Sequence, residues 1–214
     1  SELIRGGWKL KPIHKLIMLS AVYRQSGESN PAAAKADPDN QLMWRRRAVR
    51  LDAEAIRDTL LAVSGTLDKT MFGKGTLNQA IPRRSIYLTV KRGNLIPMLQ
   101  LFDAPDAIQS IGHRDVTTVP PQALALMNSL LARQLAEKFA KRIQSTPSMS
   151  PEKVVDTAYA IALSRPPTDA ERQQMADFIK KQAASYSADG KAMERAVADF
   201  CQLMLCLNEF IFID

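Results

Sequence analysis

Two groups of basic residues in this sequence have the chemistry of a ligand-binding site. The first is the run Arg45, Arg46 and Arg47, which directly follows Trp44. The second brackets a short apolar segment and consists of Arg83, Arg84, Tyr87, Lys91 and Arg92. A guanidinium group binds sulfate, phosphate or carboxylate through two parallel hydrogen bonds, and an indole ring can stack on a sugar or a base. Both groups therefore predict an anionic ligand.

The predicted ligand-binding residues are Arg45, Arg46, Arg83, Arg84, Tyr87, Arg92 and Arg114. The favoured interpretation of both groups, however, is structural. In that case carboxylates and carbonyl groups of the chain itself accept from the arginines, and the charges of residues 83–92 protect the edge of a strand. The two interpretations differ in whether the guanidinium groups stay accessible to solvent.

The tripeptide His113-Arg114-Asp115 supplies the weak candidates for catalysis. A histidine beside a carboxylate can act as a general base, so His113 and Asp115 would serve a hydrolase. The favoured interpretation is a structural corner in which Asp115 pairs with an arginine. Asp103 and Asp106 would be the paired acids of a glycosidase, but this spacing beside a proline is typical of a turn.

Several cofactor motifs are missing from the sequence. It has no Cys-x-x-Cys-His haem site, no zinc ligand set, no glycine-rich phosphate loop, no nucleophile elbow and no His-Glu-x-x-His. We therefore predict that this chain binds neither a metal nor a cofactor. Cys201 and Cys206 lie five residues apart in one apolar helix, so they face different directions and are predicted to fill the core.

The net charge of +7 is unevenly distributed. Residues 1–114 hold 18 Lys and Arg against 10 Asp and Glu, whereas residues 115–214 hold 11 against 12. The basic first half favours an acidic partner there. No apolar run approaches the ~20 residues of a membrane span, so no membrane span is expected.

Apolar periodicity predicts a mainly α fold, with about six longer helices around a central apolar helix at residues 191–208. The other predicted helices cover residues 12–23, 42–64, 120–143, 151–163 and 169–189, and a short one covers 97–102. A break is expected near Asn128 and Ser129. Within residues 42–64, Arg50 and Glu54 have the spacing of an ion pair on a helix.

A minor β element is predicted near residues 85–90, because Ile86, Leu88 and Val90 alternate with polar positions. Its partner is either the C-terminal segment 210–213 or the irregular segment 66–82. We also predict that residues 83–92 pack against the corner at 113–118, with an ion pair between Arg84 and Asp115.

Several ordered runs resemble one known family. They are WKLKPIHKLIMLSAVYRQS, RLDAEAIRDTLLAVSG, RRSIYLTVKR, MLQLFDAPD, RDVTTVPPQALALMN, AYAIALSRPPTDAE and LCLNEFIFID. Together they resemble the planctomycete C-terminal domain of unknown function, the PSD family. The resemblance implies export to the periplasm or cell surface, and a larger parent protein whose upstream cytochrome-c-like module holds haem. It implies no catalytic residues.

The sequence is accordingly interpreted as a single domain, residues 1–214, with possible sub-lobes at 1–114 and 115–214. The expected function is a non-catalytic accessory or interaction domain whose partners are the upstream domains of the same polypeptide. One alternative is an anionic-polysaccharide-binding module, and another is a hydrolase. Nucleic acid is not an expected partner, since the resemblance implies export, and the oligomeric state is left open.

Overall fold

The computed structural model describes residues 1–106, 108, 111–144, 149–186 and 190–213. In this part of the chain eleven α-helices and two very short strands form, so the fold is mainly α with a minor β element, as predicted. The chain divides into two compact units. The first unit comprises residues 1–49 and 212–214, and the second comprises residues 50–211.

The first unit contains three short helices. They are α1 (Glu2–Arg5), α2 (Leu10–Met18) and α3 (Pro31–Ala36). Helix α3 begins where Pro31 follows Asn30, whose side chain accepts hydrogen bonds from the amides of Ala32 and Ala33. Such a cap satisfies amides that have no partner within the helix. Helix α2 ends at Met18, five residues before the predicted end.

The second unit contains the remaining helices. They are α4 (Ala53–Val63), α5 (Pro97–Leu101), α6 (Pro120–Asn128), α7 (Leu130–Ile143), α8 (Pro151–Ala162), α9 (Asp169–Ser185), α10 (Ala192–Leu205) and α11 (Asn208–Ile211). The strands β1 (Val49–Arg50) and β2 (Phe212–Ile213) pair with each other. Within the described residues no helix is both long and apolar enough to cross a membrane.

The predicted central helix is confirmed. Helix α10 packs against α7, α8 and α9, and its residues Phe200, Cys201, Met204 and Leu205 are fully buried. Burial raises the pKa of the Cys201 thiol, which suits a small core hydrophobe rather than a reactive group. Both cysteines are free, as their spacing predicted.

Local capping signals place three helix boundaries where the sequence predicted them. Thr168 and Glu171 exchange hydrogen bonds as a capping box at the start of α9. The Ser150 hydroxyl accepts from the Lys153 amide at the start of α8. The break near residue 129 is confirmed, because Ser129 has an extended backbone and caps α7 through the amide of Ala132.

The helix predicted from residue 42 is wrong in its first half. Helix α4 begins only at Ala53, and Met43 adopts a positive φ of 55° that a helix excludes. The Arg46 amide donates to the Ser26 carbonyl, while the Asn40 side chain binds the backbone of Arg45. These longer-range hydrogen bonds occupy groups that a helix would have paired within itself.

The strand predicted at residues 85–90 is also wrong. Ser85–Tyr87 form one 3-10 turn, because the amide and hydroxyl of Ser85 both donate to Asp58 at 2.7 Å. Leu88 is buried as expected, but Ile86 is 75% exposed and Val90 is 67% exposed. The backbone of segment 66–82 pairs with this stretch through an isolated bridge between Thr76 and Leu88, and the minor β element is the pair β1–β2 instead.

Candidate functional site

The arginine run lies in a loop of the first unit, residues 37–48, which we call the arginine loop. The Asp37 carboxylate opens it by accepting hydrogen bonds from the amides of Gln41 at 3.0 Å and Leu42 at 2.7 Å. Asn40 is buried and adopts a φ of 54°, a conformation that asparagine tolerates better than most residues. The loop is therefore shaped by polar side chains that bind backbone, not by an apolar core.

Asn40 also sets the position of the first arginine. Its amide nitrogen donates to the Arg45 carbonyl at 2.7 Å, and its amide oxygen accepts from the Arg45 N–H at 3.2 Å. The Arg45 guanidinium carbon lies 5.0 Å from the centre of the Trp44 ring, and the indole N–H donates to the Asp37 carbonyl. Backbone and side chain of Arg45 are thus both held in place.

Among the described residues, the hydrogen-bond and ring partners of Arg46 and Arg47 are two backbone carbonyls and one aromatic ring. The Arg46 guanidinium lies 5.6 Å from the centre of the Tyr23 ring and makes a long hydrogen bond of 3.4 Å to the Tyr23 carbonyl. Arg47 donates to the Asp39 carbonyl. In the part of the chain that the structure describes, Arg45, Arg46 and Arg47 form no ion pair with a carboxylate.

The three side chains line one cavity of about 420 Å³ within the first unit, together with Asn40, Gly27 and Asp39. The Nε atom of Arg45 is shielded from solvent and has no hydrogen-bond partner among the described atoms, but the same is true of the Nε atoms of Arg50 and Arg83, so this feature does not distinguish the arginine loop. The arginine loop therefore has the geometry and charge to hold an anionic group.

The second predicted group is structural at its centre. The Arg83 guanidinium lies 3.7 Å from the centre of the Tyr87 ring and donates to the carbonyls of Thr70 and Phe72 at 3.0 and 2.6 Å. The Tyr87 hydroxyl accepts from the Phe72 amide at 2.7 Å. Arg83 and Tyr87 were predicted to bind a ligand, but they brace the loop at residues 70–73.

The other two arginines of this group lie at the surface. Arg84 is 62% exposed, and its Nε lies 3.6 Å from the Asp58 carboxylate. The predicted ion pair between Arg84 and Asp115 is therefore replaced by one with Asp58. Arg92 is also exposed.

The corner at residues 113–118 is held by Asp103 and not by residues 83–92. Asp103 accepts from the amide and hydroxyl of Thr117 and from Arg50, whose Nη2 lies 2.6 Å from the carboxylate. Arg114 donates to the Asp103 carbonyl at 3.0 Å and to the Glu54 carboxylate at 2.7 Å. The helical Arg50–Glu54 pair predicted from spacing is wrong, since each residue has another partner.

These contacts also set the charge state of Asp103. Burial by itself would raise the pKa of this carboxyl group, but the hydrogen bonds from Thr117 and the charges of Arg50 and Arg114 outweigh it. The pKa of Asp103 therefore lies below its ordinary value. Asp103 is an ionised structural centre, with none of the raised pKa that a general acid needs.

The candidate catalytic pair does not come together as a dyad. His113 and Asp115 are both exposed, and no hydrogen bond joins them among the described residues. The residue between them, Arg114, is the one that the fold uses. No cluster of His, Cys, Asp and Glu in the described ranges could hold a metal ion.

A second cavity, of about 430 Å³, lies in the second unit. Its lining is largely apolar and includes Leu95, Ile96 and Leu99, with Lys91 and Glu54 at its polar part. The Glu54 carboxylate already accepts from Arg114. Its single cation, Lys91, lies beside two carboxylates, Glu54 and Asp106, so this cavity lacks the concentration of positive charge found in the arginine loop.

Arg57 is the important residue that sequence reasoning missed. Its guanidinium donates to the carbonyls of Gln79, Ile81 and Arg83 and to the Ser85 hydroxyl, at 2.6 to 3.2 Å. Burial lowers the pKa of Arg57, although the neighbouring carboxylate of Asp58 acts in the opposite direction. The sequence signal that could have identified Arg57 is its spacing from the apolar residues of α4.

That spacing is visible in the sequence of α4. Arg57 lies four residues after Ala53 and three and four residues before Leu60 and Leu61, on the buried stripe of the helix. An arginine at such a position has to find partners inside the fold.

Fold and site together define a mainly helical protein with a structurally braced second unit and a basic loop in its first unit. The chain belongs to the PSD1 family, which is described as a protein of unknown function (DUF1553). The model of this family matches residues 1–179. No curated protein and no solved structure is significantly similar to the chain. The resemblance found in the sequence is thereby confirmed at the level of the family.

Proposed function

We propose that this chain is a non-catalytic accessory domain of a larger, exported and haem-associated protein. In this proposal the first unit docks onto upstream domains of the same polypeptide. One observation carries it: in residues 1–49, all of which the structure describes, no hydrophobic side chain is buried. A folded unit without a core of its own needs another surface to bury its apolar groups.

The apolar groups of α2 are arranged on one face. Leu10, Ile13, Leu16 and Ile17 follow helical spacing, whereas Lys15 lies on the opposite side. Leu16 is 59% exposed and Ile17 is 50% exposed. Burying a side chain of this size contributes about 1.5–3 kcal/mol, so a partner that covers this face gains several such increments.

Further apolar residues of the first unit are also exposed. They are Ile4, Trp8, Met18, Leu19 and Val22. An amphipathic helix face of this kind suits a groove of a protein or a lipid surface, and the vesicle experiment below distinguishes the two. The resemblance to a family of multidomain proteins supplies the particular partner, an upstream domain.

Ile17→Glu tests the proposal, with Lys15→Gln as the control that changes the charge by the same amount on the opposite face. The upstream region of the parent polypeptide is expressed separately and its affinity for each variant is measured by calorimetry. We expect Ile17→Glu to weaken binding at least tenfold and Lys15→Gln to change it less than twofold. Because Ile17 is half exposed, neither substitution should alter the melting of the second unit.

Hydrogen–deuterium exchange adds an independent measurement on the parent polypeptide. Amides of residues 10–22 should exchange more slowly in the parent than in the 214-residue chain. Equal exchange in both would contradict docking. Binding of the chain to phospholipid vesicles with loss of that binding in Ile17→Glu would instead assign the face to a membrane.

A further inference from the structure

We infer that the arginine loop binds an anionic saccharide unit, one that carries a sulfate ester or a uronic acid carboxylate. The inference is independent of the docking function, because it uses the polar side of the first unit and not the apolar face of α2. It rests on three observations: guanidinium groups without a carboxylate partner among the described residues, side chains that the fold holds in place, and a cavity of suitable size.

Charge is the first observation. Arg45, Arg46 and Arg47 are consecutive, yet the one acidic residue that lines their cavity, Asp39, contacts Arg47 through its backbone carbonyl. Three guanidinium groups and one carboxylate leave a net positive charge in the cavity. In the second unit, by contrast, Arg50, which is 3% exposed, is paired with a carboxylate. An external anion supplies the negative charge that the arginine loop lacks.

Preorganisation is the second observation. The Asn40 amide holds both backbone groups of Arg45, and the guanidinium groups of Arg45 and Arg46 lie against Trp44 and Tyr23. Side chains fixed in this way lose little conformational freedom on binding.

Size and the use of the aromatic rings decide the chemical class. A cavity of about 420 Å³ is larger than a lone sulfate or phosphate ion requires and lies within the range of small-molecule sites. The Trp44 and Tyr23 rings already carry a guanidinium group, and the indole N–H of Trp44 is occupied. The two rings are thus used by the arginines, so the ligand is held mainly through its anionic group, and the titration below distinguishes a charged saccharide from a nucleic acid.

The test uses the fluorescence of Trp44, which contacts Arg45. The chain has two tryptophans, so a Trp8→Phe background leaves Trp44 as the single reporter. This protein is titrated at low salt with oligogalacturonate, sulfated dextran oligosaccharide, neutral dextran oligosaccharide and a single-stranded oligonucleotide. We expect binding of one or both charged saccharides, no binding of the neutral one, and weaker binding at higher salt.

Variants then assign the binding to the loop. Arg45→Gln and Arg46→Gln, each made singly, should weaken saccharide binding about tenfold, the loss expected for one charge-assisted contact. Arg45→Lys keeps the charge but not the planar guanidinium group. Its affinity for the saccharide should therefore lie between that of Arg45→Gln and that of the chain with Arg45. Lys35→Gln removes one positive charge from α3, outside the cavity, and should change the affinity less than twofold.

Each outcome of these titrations either assigns the class of ligand or overturns the inference. Binding of the sulfated ligand alone assigns the site to sulfate esters, and binding of oligogalacturonate alone assigns it to carboxylates. No binding of either, equal weakening by Lys35→Gln, or tighter binding of the oligonucleotide would overturn the inference. Ile17→Glu should leave saccharide binding unchanged, so failure of this inference and failure of the docking function remain distinguishable.

Discussion

Arg57→Met tests whether one buried arginine holds the irregular segment 66–90 against α4. The Arg57 side chain is 5% exposed and donates four hydrogen bonds. At a net value of about 1 kcal/mol per bond, their loss removes about 4 kcal/mol. Methionine retains apolar packing and no longer buries a charge, which returns part of this amount. We therefore expect the free energy of unfolding to fall by about 3 kcal/mol.

A loss of that size is large enough to measure. In a unit of this length ~1 kcal/mol shifts Tm by about 2–4 °C, so calorimetry should show a decrease of about 6–12 °C. The amides of Thr76 and Thr89, which bond across the segment, should also exchange faster with deuterium.

Arg84→Met is the matched control, because Arg84 is 62% exposed and makes one ion pair of 3.6 Å. We expect it to change the free energy of unfolding by less than about 0.5 kcal/mol. Equal shifts in the two variants, or a decrease below about 2 °C in Arg57→Met, would refute the proposed role of Arg57.

Three further predictions follow from individual contacts. Leu205→Asp places a carboxylate where the native side chain is 0% exposed, so calorimetry should show no cooperative transition, and an unchanged Tm would contradict its central position. The hydrogen bonds from Arg165 hold the pKa of Glu171 at about 2, so the stability from this pair is complete above the unfolded pKa of about 4.3 and is lost as the pH falls towards 2. Between those pH values the Tm of Glu171→Gln should therefore depend less steeply on pH than the Tm of the unsubstituted chain. Parallel plots of Tm against pH for the two proteins would exclude the effect. Asn40→Ala should speed amide exchange of Arg45 without changing the Tm of the second unit, whereas unchanged exchange would show that Asn40 does not hold the loop.

Elements with local signals were predictable from the sequence. Thr168 and Glu171 are three residues apart, and both hydrogen bonds of their capping box lie within that distance. The apolar run that ends at Leu205 needed only its composition to indicate a buried helix. In such cases the residues that specify the structure are neighbours in the chain, so periodicity and capping rules suffice.

Elements that depend on distant hydrogen bonds were not predictable in this way. Ser85 turns because Asp58, 27 residues earlier, accepts from both its amide and its hydroxyl. Arg46 leaves the predicted helix because its amide donates to Ser26. Helix propensity and alternation describe local preference, and tertiary hydrogen bonds override both.

The candidate site was only half predictable for the same reason. Composition identifies arginines that can bind an anion, but their pairing depends on where the fold brings carboxylates and carbonyls. Arg114 pairs with the Glu54 carboxylate and Arg83 donates to two carbonyls, whereas Arg46 makes one long hydrogen bond of 3.4 Å and the Arg45 guanidinium makes none among the described residues. The sequence could not rank these four side chains.

A structural arginine and a ligand-binding arginine should affect the stability of the free chain differently. Arg57 satisfies carbonyl groups that would otherwise lack partners, so its loss lowers stability wherever a ligand is absent. Arg45 adds a positive charge next to two others and has no carboxylate partner among the described residues, so the free chain gains little from it. A residue that a folded chain holds in place at an energetic cost is better explained by an interaction made outside the chain. Stability measurements and binding measurements on these two positions should therefore diverge, and that divergence is the physical distinction between a structural and a ligand-binding guanidinium group.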